Sequence, residues 1–189
     1  MNHEEHIINT IHTTFKSAEA EIQRKGRLLI RLRSDLLPAF VSYLKNYLDF
    51  NHLVMISCVD WMEDNQFELV YHLYSYAQKV HAMVKVRLNR SQPQAQTILP
   101  FWDQAGTYER EIHEMYGVYF EGHPDLSEFI LEDWDDIPPM RRDFKTREFV
   151  NENYEWRKGR EDAQDVRRTI SERYDEKLPQ FNNDDKANG

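Results

Sequence analysis

The stretch from Tyr108 to Leu126, YEREIHEMYGVYFEGHPDL, crowds chemically capable side chains into a short span. On a helix, Glu109, Arg110, Glu111, His113 and Glu114 fall within about two turns. Arg110 is then placed to pair with Glu114 at i,i+4 spacing, and Glu109 shares a face with His113. Ile112, Met115 and Tyr116 cover the opposite side. Carboxylates beside an imidazole are the material of acid–base catalysis, and Glu109, Glu111 and His113 keep a stand-alone enzyme open as one reading. Metal chemistry fits less well. A zincin needs His-Glu-x-x-His, whereas His113-Glu114 runs on into Met115, Tyr116 and Gly117. A di-iron site needs paired Glu-x-x-His elements, and neither the spacing nor a second copy is present. Spacing alone therefore favours a solvated, salt-bridged helix followed by a turn.

Other chemistries are narrowed by composition. A single cysteine, Cys58, allows no internal disulfide and cannot supply the thiolates of an iron–sulfur cluster or Cys-rich zinc site. Cys58 sits in a buried-strand pattern, which suits an inert core thiol. The six glycines are scattered, so no phosphate-cradling loop is formed. With 24 Lys and Arg against 33 Asp and Glu the net charge is −9, which disfavours nucleic acid or an anionic lipid surface as partner. No apolar run is long enough to span a bilayer, and residues 1–10 resemble no signal peptide. The expectation is a soluble, cytosolic protein.

The elements that must position the motif follow from periodicity. Ile7, Ile8, Ile11 and Phe15 mark a helix over 4–18. A turn at Arg24-Lys25-Gly26 leads to a strand over 28–32. Ser34-Asp35 offers an N-cap for a helix carrying Leu36, Leu37, Phe40, Val41, Leu44 and Leu48, with Pro38 early in it. The run LVMISCVDW over 53–61 is almost continuously apolar and reads as a mid-sheet strand. Strands over 67–76 and 80–88 come next, joined as a hairpin. A loop through Pro93 and Pro100 leads into the motif helix, which Gly117 ends, and a short aromatic strand reaches Glu121. This predicts an α+β fold: a small mixed or antiparallel sheet of about four strands with helices packed on one face. The composition changes near Asp143. Residues 1–144 read as the folded domain, and 145–189 as an extended, polar C-terminal arm whose end, 178–189, is expected to be disordered.

The motif closely resembles that of a known family. Glu109-Arg110-Glu111, then Glu114-Met115-Tyr116-Gly117, then Phe120-Glu121-Gly122-His123-Pro124-Asp125-Leu126 is similar to the signature of the 30 kDa subunit, also called the C subunit, of proton-pumping NADH:quinone oxidoreductase (respiratory complex I), a family that includes the corresponding subunits of membrane-bound hydrogenases. Pro139-Met140-Arg141-Arg142-Asp143-Phe144 resembles the family's Pro-Leu-Arg-Lys-Asp-Tyr/Phe block. The resemblance covers 28–144 in element order and is specific in motif from Glu109 to Phe144. One departure is that Ser127 and Glu128 stand where the family usually carries a basic pair.

The resemblance implies a structural subunit of the peripheral arm, in the quinone-reducing connecting module, with no catalytic residue, cofactor or metal of its own. FMN and iron–sulfur clusters are expected on partner subunits. The implied partners are the large quinone-module subunit and the subunit with the terminal iron–sulfur cluster. Membrane association is then indirect, on the cytoplasmic side of a bacterial membrane. Glu109, Arg110, Glu111 and Glu114 are expected to form an ion-pair network at an interface between subunits. Gly117 and Gly122 shape turns, His123-Pro124 makes a rigid one, and Arg141, Arg142 and Asp143 pin their segment to a neighbour. The arm, with Phe149, Tyr154 and Trp156, is expected to fold along a partner. The same scaffold in a hydrogenase or other donor-specific complex is the alternative within the family. A stand-alone adaptor binding through its arm is the alternative outside it.

Overall fold

The structure, a computed structural model, describes residues 3–154. Helix α1 (His3–Thr14) buries Ile7 and Ile11, and ends four residues sooner than its apolar stripe suggests. The hydroxyls of Thr10, Thr13 and Thr14 turn back onto carbonyls of the preceding turn. Next comes a strand the periodicity did not reveal, β1 (Glu19–Arg24), which is mostly exposed and so carries no apolar alternation. A turn through Gly26, at φ +74°, joins it to β2 (Arg27–Leu32). That turn is anchored by buried Glu4, whose carboxylate accepts the Gly26 N–H at 3.1 Å.

Ser34 and Asp35 lie in a short 3-10 turn and do not cap helix α2 (Leu37–Tyr47), which has no side-chain cap. Asp35 is instead held by the Arg33 guanidinium. Pro38 occupies the first turn of α2, and Leu37, Phe40, Val41 and Leu44 are buried. Strands β3 (His52–Trp61), β4 (Gln66–Ser75) and β5 (Val80–Asn89) form an antiparallel meander, and β2 joins β5 in parallel. The sheet is therefore five-stranded and mixed, in the order β1-β2-β5-β4-β3.

Strand β3 is thus an edge strand, not a central one. Its inner face, Leu53, Ile56 and Cys58, is buried, whereas Met55, Val59 and Trp61 are apolar but exposed on the other face. Two apolar faces imitate a central strand in sequence, although only one of them is covered. Phe67, Leu69, Tyr71 and Leu73 of β4 and Val80, Ala82, Val84 and Val86 of β5 alternate onto the same inner face. They form one core with Ile7, Ile11, Phe40, Leu44 and Ile112 from the helices. The outer face of β4 and β5 carries Glu68, His72, Lys85 and Arg87.

After β5 come β6 (Gln94–Gln96), α3 (Ala105–Tyr116) and β7 (Tyr119–Glu121), with β6 and β7 paired in parallel. A three-residue strand such as β6 is too short to show a period. Residues up to Phe144 make one compact unit, and a second begins at Lys145. The start of the segment expected to be an extended arm is helical, α4 (Thr146–Asn153), with Phe149 and Tyr154 in ring contact. The expectations for Trp156 and for disorder over 178–189 lie outside the described residues.

Candidate functional site

The motif helix α3 is set by its ends. Gly117 adopts φ +79° and donates its N–H to the His113 carbonyl at 2.8 Å, closing the last turn. A Cβ there would crowd Pro138 Cγ at 3.3 Å, in addition to the strain that a side chain meets in the left-handed backbone. His113 Nδ1 bonds the Val118 carbonyl at 2.8 Å and fixes the exit.

Glu109 does not lie on a solvated face. It is fully buried, on the same side of α3 as Ile112, which corrects the assignment of those two residues to opposite sides. Its Oε1 accepts the Ile98 N–H at 2.8 Å and its Oε2 accepts the Thr97 hydroxyl, while Thr97 Oγ1 accepts the Leu99 N–H at 3.1 Å. A buried carboxylate thus stands in for the missing backbone partners of the loop after β6. Burial pushes its pKa up, and the two hydrogen bonds and His123 oppose that rise. The hydroxyl of Tyr71 is buried without a hydrogen-bond partner, and its pKa is also driven up, by burial first and then by Glu109 and Cys58.

Arg110 and Glu114 do not pair with each other among the described ion pairs; both turn to the loop over 125–131. Arg110 Nε donates to the Ser127 carbonyl at 2.8 Å, and Nη2 donates to Ser127 Oγ at 2.9 Å and to the Glu128 carbonyl. Its guanidinium also lies 5.1 Å from the Phe129 ring centre and 4.0 Å from Asp125. Glu114 accepts the N–H groups of Phe129 at 2.7 Å and Ile130 at 2.9 Å. Burial alone would raise the Glu114 pKa, but these amides and Arg110 hold it below the ordinary carboxylate value. Ser127 and Glu128, where the family usually carries a basic pair, therefore sit against a cation whose N–H groups their carbonyls accept. Glu111 is exposed and has no ion pair among the described residues.

Gly122, at φ +84°, turns the chain out of β7, and a Cβ there would meet Thr97 Cγ2 at 3.3 Å. His123 then ties this turn to the start of α3. Its Nε2 bonds the Gly106 carbonyl at 3.2 Å, and its Nδ1 accepts the Asp125 N–H at 3.2 Å. An accepting Nδ1 leaves Nε2 as the donor. Pro124 is exposed on the outside of the turn.

Arg141, Arg142 and Asp143 are pinned within their own domain. Asp60 is 6% exposed and receives Arg90 Nε at 2.8 Å, Arg90 Nη2 at 3.0 Å and the Arg142 N–H at 2.9 Å. Arg90 also reaches Asp143 at 2.7 Å, Arg141 reaches Asp143 at 3.3 Å, and Arg142 pairs with Glu63 at 2.5 Å. Arg90 and Arg141 both lie close to the Phe67 ring centre, at 5.5 and 5.7 Å. The Arg90 hydrogen bond holds the Asp143 carboxyl at about 2, against some opposition from burial. Sequence reasoning missed Asp60, Glu63, Arg90 and Thr97. The one clue was a charged residue, Asp60, inside the mostly apolar run LVMISCVDW.

The motif residues thus converge on α3 and on the segments it holds, and these all fall inside one recognised sequence family. Residues 30–150 match the model described as respiratory-chain NADH dehydrogenase, 30 Kd subunit. The chain belongs to this family. Among the similar relatives of this 30 kDa-family chain is the C subunit of the F(420)H(2) dehydrogenase of Methanosarcina mazei, 34% identical over 146 residues, covering 74% of this chain and 90% of the relative. The C subunit of the NADH-quinone oxidoreductase of Moorella thermoacetica is 38% identical over 112 residues, covering 59% of this chain and 76% of its own. A chain from the membrane-bound sulfane sulfur reductase, an archaeal respiratory membrane complex, superposes at a TM-score of 0.76 with 32% identity, covering 82% of this chain and 92% of that one. No described helix of the 30 kDa-family chain is long and apolar enough to cross a membrane.

Proposed function

We propose that the chain is a structural subunit, without a cofactor of its own, in the peripheral arm of a proton-translocating NADH:quinone oxidoreductase or a related complex. In this reading it belongs to the quinone-reducing connecting module, against the large quinone-module subunit and the subunit with the terminal iron–sulfur cluster. Electrons pass from donor to quinone through FMN and iron–sulfur clusters of those and other subunits. The chain reaches the cytoplasmic face of the membrane only through the complex.

The observation that carries this reading is where the charges of the motif are engaged. Arg110 and Glu114 are taken up largely by the backbone of 127–130, and Glu109 by the Ile98 amide and the Thr97 hydroxyl. Charges engaged in this way shape a surface and are poorly placed to transfer protons to a substrate. The loop that Arg110 and Glu114 hold presents apolar side chains among polar ones: Phe129 and Ile130 are 42% and 54% exposed. A loop tied to a helix by these hydrogen bonds and presenting exposed apolar side chains suits a permanent contact between subunits. The names of the relatives include F(420)H(2) dehydrogenase, NADH-quinone oxidoreductase and sulfane sulfur reductase. They favour, as a second reading, the same scaffold serving a complex with a different donor.

Purification of the native protein tests both readings. Co-migration with the large quinone-module and iron–sulfur subunits is expected, and the flavoprotein found with them identifies the donor. Arg110→Ala is expected to lower both assembly and quinone-reductase activity several-fold. Isolation as a lone monomer, or full assembly and activity of Arg110→Ala, would sink the interface role.

A further inference from the structure

Strand β3 ends the sheet: among the described strands it pairs only with β4. The free part of that edge has a definite start. Near the bulge between Leu53 and Met55, the Val54 carbonyl is taken by the Tyr108 hydroxyl of α3 at 3.0 Å. From Met55 to Trp61 no backbone hydrogen bond to any element but β4 is formed among the described residues. This is a run of about 20 Å at strand rise. Beside its first half lies a groove of about 380 Å³ between β3 and α3. Met55, Ser57, Tyr108, Met115, Tyr116 and Met140 line it, and Glu111 stands on its helical wall.

We propose that this edge and groove take an extended segment of a neighbouring subunit, which adds to the sheet as a further strand. The inference rests on the reading of the chain as a subunit and specifies one of its contacts. Edge strands expose unpaired N–H and C=O groups, and proteins normally blunt them with bulges, prolines or charges. Here the bulge lies near the start of the strand, between Leu53 and Met55, and beyond it Met55, Val59 and Trp61 project beside the edge at 42%, 38% and 39% exposure. A helix laid in the groove could cover the apolar walls but would leave the edge amides without partners. An added strand satisfies both, using main-chain bonds for affinity and alternate side chains for fit.

Charge narrows the occupant further. Glu111 is exposed on the groove wall without an ion pair among the described residues. A second copy would bring another Glu111 and another net charge of −9 to the same edge. The occupant is therefore a segment of about five to seven residues, apolar at alternate positions, with a Lys or Arg opposite Glu111.

Hydrogen exchange on the free full-length chain and on the assembled complex tests this. Alternate amides within 55–61 are expected to exchange at least tenfold more slowly in the complex, the pattern of one-sided strand pairing. A photo-crosslinking residue placed at Met55, and separately at Met140, is expected to capture the same extended segment of one other subunit. Glu111→Lys, which alters an exposed side chain, is expected to leave thermal unfolding unchanged and to weaken assembly about tenfold, with recovery when the opposing basic residue is reversed. If the chain assembles but these amides stay unprotected, the strand proposal fails and its reading as a subunit stands. Cross-links to a helix, to a second copy or to this chain's own C-terminal residues overturn it as well. A chain that joins no complex overturns both.

Discussion

Glu109 shows how one carboxylate can organise a loop from inside the protein. Its two oxygens serve the Ile98 amide and the Thr97 hydroxyl, 11 and 12 residues upstream. Glu109→Ala would leave both donors buried and unpaired, which is expected to cost roughly 2–4 kcal/mol in urea denaturation. Glu109→Gln keeps an acceptor for the Ile98 amide and removes the buried charge, so a much smaller loss is expected. The pH dependence has a defined sign. A folded-state pKa raised above the ordinary 4.5 contributes stability that is complete below 4.5 and is lost as pH rises through the folded value. Compared with wild type, the Gln variant should therefore perform better at pH 7 than at pH 4. Denaturation midpoints for both proteins at the two pH values check this, and a relative advantage of the Gln variant that grows toward acid would contradict it. A charged residue in a motif reads as solvated because burial cannot be seen along the chain. Only the paired acceptor and donor, brought together by the turn from β6 into α3, make this site intelligible.

At the scale of elements, α3 is a clamp whose outer grip can be released separately from its core face. Glu114→Ala removes the acceptor of the Phe129 and Ile130 amides, while Ile112 and Glu109 remain in place on the buried side. Faster proteolysis within 127–131 is expected, together with a global loss of only about 1 kcal/mol. A loss of several kcal/mol would mean that the loop is integral to the core. Gly117→Ala is expected to cost about 1–2 kcal/mol from the left-handed backbone alone, read as a lower urea midpoint. The element order of the main domain was largely legible in the sequence, because α2, β4 and β5 are long and strongly periodic. Strands β1 and β6 were not, one because it is mostly exposed and the other because it has three residues. The position of β3 was misread for a physical reason: an edge strand with exposed Met55, Val59 and Trp61 has the composition of a central one. The Arg110–Glu114 pair was misread because i,i+4 spacing permits a contact that nearby backbone groups can displace.

For the molecule as a whole, the long-range tie is the charged knot that fastens Arg141–Asp143 to the end of the sheet. It joins Asp60 of β3, Arg90 just after β5 and the Arg142 amide, which lies 82 residues from Asp60. No local pattern encodes such a link, although the family-like block at 139–144 marks where it lies. Arg90 is the hub, because among these side chains it alone touches both Asp60 and Asp143. Arg90→Ala would leave Asp60 buried with only the Arg142 amide, and removing one partner of a buried ion pair typically costs about 3–5 kcal/mol. Adding Asp60→Asn to that variant should recover part of the loss, since it removes the uncompensated charge. Acid should mimic the first variant. Asp60 and Asp143 both have folded pKa values below the ordinary 3.8, with Asp143 at about 2. Their contribution is therefore complete above 3.8 and is lost as pH falls toward 2. Circular dichroism during acid titration is expected to show wild type losing stability across that window, with a flatter response in the Arg90→Ala, Asp60→Asn double variant. Equal acid sensitivity in the two proteins would place the acid-labile carboxylates elsewhere and deny the knot its role in fastening the motif's last block to the sheet.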